Sequence, residues 1–105
     1  MNSSPAIAAV QRLLRFGFER IPVLDEDGLP EVLIFLRDWR GWREVVLVYS
    51  EWEARAYRTP VAFASSNPLY CPPGTAETLI PLADVVSVVY ALLKDWTPPP
   101  HPAVT

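Results

Sequence analysis

Residues 31–49 read EVLIFLRDWRGWREVVLVY, two nearly unbroken apolar segments, Val32 to Leu36 and Val45 to Tyr49, on either side of a polar turn. A strand with one wet face alternates apolar and polar side chains, so continuous apolar character predicts a hairpin covered on both faces. Asp38 to Trp42 turns around Gly41, and the second strand is expected from Arg43. Side chains alternate across a strand, so Leu33 and Phe35 share one face and Val32, Ile34 and Leu36 the other. Which of Val45 to Tyr49 join each set depends on the register.

Working outward, Ser4 is a good N-cap with Pro5 at the first helical position. Ile7, Val10, Leu13 and Leu14 follow at helical spacing until Gly17. Phe18 to Leu24 reads as a strand that Pro22 places at an edge, and Asp25-Glu26-Asp27-Gly28 reads as a turn. Residues 50–58 match both a capping box and an alternating strand. Pro60 would stop a helix after about two turns, which favours a turn followed by a short strand. Ala64 to Gly74 is an irregular loop and Ala76 to Ile80 a last short strand. Pro81 is expected to open a second helix with Leu82, Val85, Val86, Val89, Leu92 and Leu93 on its apolar stripe. The expected fold is α+β: a mostly antiparallel four- or five-stranded meander sheet with an N-terminal and a C-terminal helix packed on one face. Residues 1–96 are expected to form a single domain, with 97–105 as a flexible Pro-rich tail.

With 105 residues, half of them hydrophobic, the chain has the size and composition of one globular domain. A net charge of -3 supplies no general attraction to nucleic acid or to an anionic membrane. One cysteine, Cys71, forms no internal disulfide, and the chain opens without a signal-peptide pattern, so the expected location is cytoplasmic. The helix-like apolar stretch from Leu79 to Leu93 is shorter than the ~20 residues a bilayer span requires, which argues against a membrane protein.

Chemistry-bearing patterns are sparse. Arg37, Trp39, Arg40, Trp42 and Arg43 place three cations and two indoles in seven residues, a composition able to stack nucleobases and hold phosphates. The bland alternative is a hairpin turn whose tryptophans fold back over the sheet and whose arginines pair with Asp38 and Glu44. Trp and Arg are also enriched at protein interface hot spots. Asp25, Glu26, Asp27 and Glu31 fail as a calcium loop, because Ile34 stands where the bidentate Glu is needed. Cys71 would need a base, and the sole histidine, His101, lies in the tail. No catalytic, metal or cofactor residues are therefore assigned, and no enzyme is expected.

The stretches Val45 to Val48, Ala56-Tyr57-Arg58 before Pro60, and Pro81-Leu82 leading to Ala91-Leu92-Leu93 resemble short uncharacterised proteins of high-GC actinobacteria. That resemblance implies a non-enzymatic protein and carries no site residues. The architecture is also similar in type to small acidic α+β dimers that act as secretion chaperones. The expectation is an interaction or regulatory protein, a homodimer or a binder of another protein, working through an apolar sheet face and the Trp/Arg turn. Its expected partner-binding residues are Leu33, Phe35, Trp39, Arg40, Trp42 and Tyr49. The alternatives are a nucleic-acid-binding module using the Arg37 to Arg43 turn, or a small ligand-binding domain.

Overall fold

The structure, a computed structural model, describes residues 4–21, 32–69 and 78–96. In chain order the elements are α1 (Pro5–Arg15), β1 (Glu19–Ile21), β2 (Leu33–Trp39), β3 (Trp42–Ser50), β4 (Glu53–Pro60), a 3-10 turn (Val61–Phe63), β5 (Thr78–Ala83) and α2 (Val85–Asp95). The five strands form one antiparallel sheet in the order β1-β2-β3-β4-β5, so the α+β meander with an N-terminal and a C-terminal helix holds.

Local chemistry explains the ends of α1. The Ser4 side chain accepts from Ile7 N at 3.1 Å, satisfying one orphan donor of the first turn. At the other end Gly17 N donates to Leu14 O and Phe18 N to Leu13 O, the paired bonds of a Schellman motif. That motif needs a left-handed residue, and Gly17 supplies it at φ +93°. Phe18 and Leu13, which the motif brings together, are both buried in the same core.

β2 and β3 are joined through Arg40 and Gly41, both at positive φ (55° and 81°), as a two-residue type I′ hairpin requires. Trp39 therefore faces Trp42, which fixes the register: Arg37 opposes Glu44, Phe35 opposes Val46 and Leu33 opposes Val48. The next turn, Glu51-Trp52, leads into β4, confirming turn then strand for 50–58. A register shift between Val48 and Ser50 follows, after which Glu44 pairs with Arg58.

The helix-side core joins Leu13 and Phe18 to Phe35, Val46, Ala54 and Ala56 of the sheet and to Val85, Val88, Val89, Leu92 and Trp96. Both helices thus cover one face. The opposite face is also dry within a single chain: Ile34, Val45 and Leu47 are all 0% exposed. Leu69 packs there, and the Tyr57 hydroxyl donates to Pro68 O at 2.6 Å, so the segment after β4 lies across that face.

Two expectations need correction. Pro81 does not open a helix; it lies within β5, an outer strand where a missing N–H is tolerated. Asp84 is the N-cap of α2, accepting from Ser87 N at 3.0 Å and from Ser87 Oγ at 2.6 Å. These bonds to the carboxylate hold the Asp84 pKa below its usual range, with the Ser87 hydroxyl the largest cause. The helix starts four residues later, at Val85, which leaves Leu82 in β5; Val88 and Trp96 are buried, whereas Leu82 and Val86 are exposed. On α1, likewise, Ala9 and Leu13 are buried while Ile7 and Leu14 face outward. Asp25 to Gly28, Glu31, Cys71, His101 and the tail 97–105 lie outside the described residues.

Candidate functional site

The β2–β3 hairpin has two differently built ends, about 20 Å apart at strand rise. At the turn end the register sets Arg37, Glu44 and Arg58 side by side in one row on the helix face. Glu44 is completely buried, and each of its oxygens serves one arginine. Arg37 places Nε and Nη2 on Oε1 at 2.7 and 2.6 Å. Arg58 places Nε and Nη2 on Oε2 at 3.1 and 2.6 Å. Both guanidiniums also meet aromatic rings: Arg37 lies over Phe18 and Trp39, and Arg58 over Trp42 and Trp96, at 4.5 to 5.6 Å from the ring centres.

This arrangement accounts for the Trp/Arg turn. Arg37 is committed to Glu44, and Arg43 makes a two-point bond to Asp38 at 2.8 Å for each contact, the pairing that a plain hairpin turn would show. The Asp38 bond holds the Arg43 pKa above its usual value. Arg40 remains exposed at the tip. Trp42 is folded back into the helix side of the sheet, and Trp39 is half-buried against Arg37. Arg58 and Trp96, central to this row, carried no sequence signal taken by themselves; Arg58 becomes legible only once its strand register is known.

At the other end α1 overhangs the sheet and leaves an open groove of about 370 Å³. Ala6, Ile7, Val10 and Gln11 form its helical wall; Leu33, Val48 and Tyr49 form its floor, with Ser50, Glu51 and Val85 at the far side. The groove falls at the small end of the 300–1,000 Å³ range of ligand pockets and is overwhelmingly apolar. Its start is fixed by a backbone bond from Val85 N to Glu51 O at 3.1 Å, which ties the head of α2 to the β3–β4 turn. Ile7 in the groove wall is 53% exposed, and further along α1 Leu14 is 49% exposed.

The six expected partner-binding residues separate accordingly. Leu33 and Tyr49 come together in the groove. Phe35 and Trp42 are buried inside the chain, and Trp39 and Arg40 sit at the opposite end of the hairpin. Sequence reasoning did not single out Ile7 as a surface residue, because its helical spacing with Val10 and Leu13 matches a core stripe equally well. Among the described residues no three His, Cys, Asp or Glu side chains are grouped to hold a metal, and no helix is long and apolar enough to cross a membrane. No protein-family model matches the chain, and comparisons with curated proteins and with solved structures find no match either. The resemblance to actinobacterial proteins gains no support from them.

Proposed function

We propose that this chain is a small non-enzymatic interaction protein that pairs with a second copy of itself through α1 and the adjoining groove. The carrying observation is an apolar groove walled in part by the exposed Ile7, with Leu14 exposed two turns further along the same helix, on a chain whose two sheet faces are already covered. Exposed apolar surface of this extent marks association sites. Ile7 both walls the groove and stands exposed beside it, so one surface supplies both sides of a self-complementary two-fold contact. Ile7 and Leu14 are two helical turns apart, about 10 Å, so the ridge is elongated as a helix contact requires.

Charge supports an antiparallel pairing of the two α1 helices. The basic residues of α1, Arg12 and Arg15, stand in its last turn, while Glu51 lines the groove beside its first turns. Antiparallel helices bring each basic end against the partner's Glu51 and set the helix dipoles head to tail. Among the described residues the groove lining holds no histidine, cysteine or lysine, which favours a binding surface over a catalytic one. The nucleic-acid reading loses ground because Arg37 and Arg43 are engaged with carboxylates inside the chain.

Sedimentation equilibrium from about 1 to 100 μM tests the proposal, a span that covers an ordinary specific complex. The expected result is a dimer of 11.8 kDa chains that Ile7→Asp converts to a folded monomer. A wild-type chain that stays monomeric throughout overturns it, as does a dimer indifferent to both Ile7→Asp and Leu14→Asp.

A further inference from the structure

The buried row of charges reaches beyond the sheet. Arg37 Nη1 donates to Phe16 O, the C-cap carbonyl of α1, at 2.7 Å. Arg58 Nη2 donates to Trp96 O, the C-cap carbonyl of α2, also at 2.7 Å. Helix C-termini carry partial negative charge and unsatisfied carbonyls, so each guanidinium lies between a full carboxylate and a helix end.

We propose that Glu44 is the pin of a two-armed latch that couples the docking of α1 and α2 to the centre of the sheet. One arm runs Glu44–Arg37–Phe16 and the other Glu44–Arg58–Trp96. Each arginine is buried, 8% and 3% exposed, and a buried guanidinium without its counter-charge is expelled toward water. Without Glu44 each arginine loses the carboxylate it shares, and its helix-end bond is weakened with it. The loss of one arginine frees only its own helix, since the other retains the carboxylate. Trp96 is held on this arm through its carbonyl and its ring, while its indole Nε1 is buried without a hydrogen-bond partner among the described residues and its backbone N–H stays on Leu92 O.

The latch predicts a pattern in native-state hydrogen exchange. The amides of Gly17 and Phe18 report the end of α1, and the amide of Trp96, bonded to Leu92 O at 2.7 Å, reports the end of α2. The amide of Leu47, in mid-β3, is the internal reference. A bond to a charged group corresponds to a factor of about ten or more in a local opening equilibrium. Relative to Leu47, Glu44→Gln is expected to speed exchange about tenfold or more at both helix ends. Arg37→Met does so only at Gly17 and Phe18, and Arg58→Met only at Trp96.

If Glu44→Gln does not fold, the triple variant Arg37→Met, Glu44→Leu, Arg58→Met removes all three charges together and leaves none orphaned. It is expected to fold, with both helix ends exchanging faster than in the wild type. A Glu44→Gln variant that loosens one end alone, an Arg37→Met variant that loosens both alike, or a triple variant with wild-type protection at both ends overturns the latch. The same measurements in an Ile7→Asp background separate it from self-association, so either reading can fail alone.

Discussion

Truncating Leu92 to Ala tests the packing of α2 on the sheet. Leu92 is 0% exposed and belongs to the helix-side core with Phe35, Trp96 and five valines, Val46, Val48, Val85, Val88 and Val89. Removing a buried leucine to alanine costs about 2–5 kcal/mol, and the position within that range depends on how far neighbours move into the void. β-Branched valines are stiff about χ1 and Trp96 is held by Arg58, so collapse is limited and the expected loss is about 3–5 kcal/mol. A domain of this size has only about 5–15 kcal/mol in all. At about 4–8 °C per kcal/mol the midpoint falls by at least about 12 °C. Urea unfolding followed by tryptophan fluorescence gives the free energy directly. Val86→Ala is the control on the same helix: Val86 is 41% exposed, and a change within about 0.5 kcal/mol is expected. Equal effects of the two substitutions, or no effect of Leu92→Ala, would show that the helix faces are wrongly assigned.

Gly17→Ala probes backbone strain in isolation, because among the described residues an added Cβ meets only Arg37 Cδ at 3.6 Å while φ stays at +93°. The expected loss is about 1–2 kcal/mol by chemical denaturation, and an unchanged midpoint refutes the left-handed cap. For Asp84, a folded pKa held below the usual range means that the cap stabilises the protein when ionised and loses that contribution as pH falls through the folded value. Wild type should therefore melt above Asp84→Ala at neutral pH, with the gap closing below about pH 4; a gap that widens in acid would reverse the assigned sign.

Much of this architecture is written in local signals. Ser4, Pro5 and Gly17 bracket α1, and the Arg40-Gly41 pair, once recognised as a two-residue loop, sets Arg37 opposite Glu44. The row stops being legible at β4. Ser50 opposes Glu53, and continuing that register would bring Thr59 against Glu44 and turn Arg58 to the other face; the shift between Val48 and Ser50 brings Arg58 instead. No residue pattern announces that shift. Pro81 misleads for a different reason: proline suits both a helix's first turn and an outer strand, and only the Asp84–Ser87 cap decides between them. The groove is less visible still, because it arises from where α1 sits relative to the hairpin's end. Ile7 and Leu14 obey the same spacing as core residues, and periodicity fixes the width of an apolar stripe without saying which flank stays uncovered.

The two outer strands also limit how copies can meet. β1 contributes only three residues, and β5 carries Pro81, with the register shifting opposite it between Ala54 and Ala56. A long regular edge would offer a ladder of free amides on which further chains could add strand by strand, the route to open-ended fibrils. Among the described residues β1 offers a three-residue template and β5 carries a proline, which has no N–H to donate, so neither edge presents a long regular ladder. Under the proposed pairing through α1, association falls to the helical layer, where a two-fold contact closes after one pairing and the assembly stays finite at high concentration.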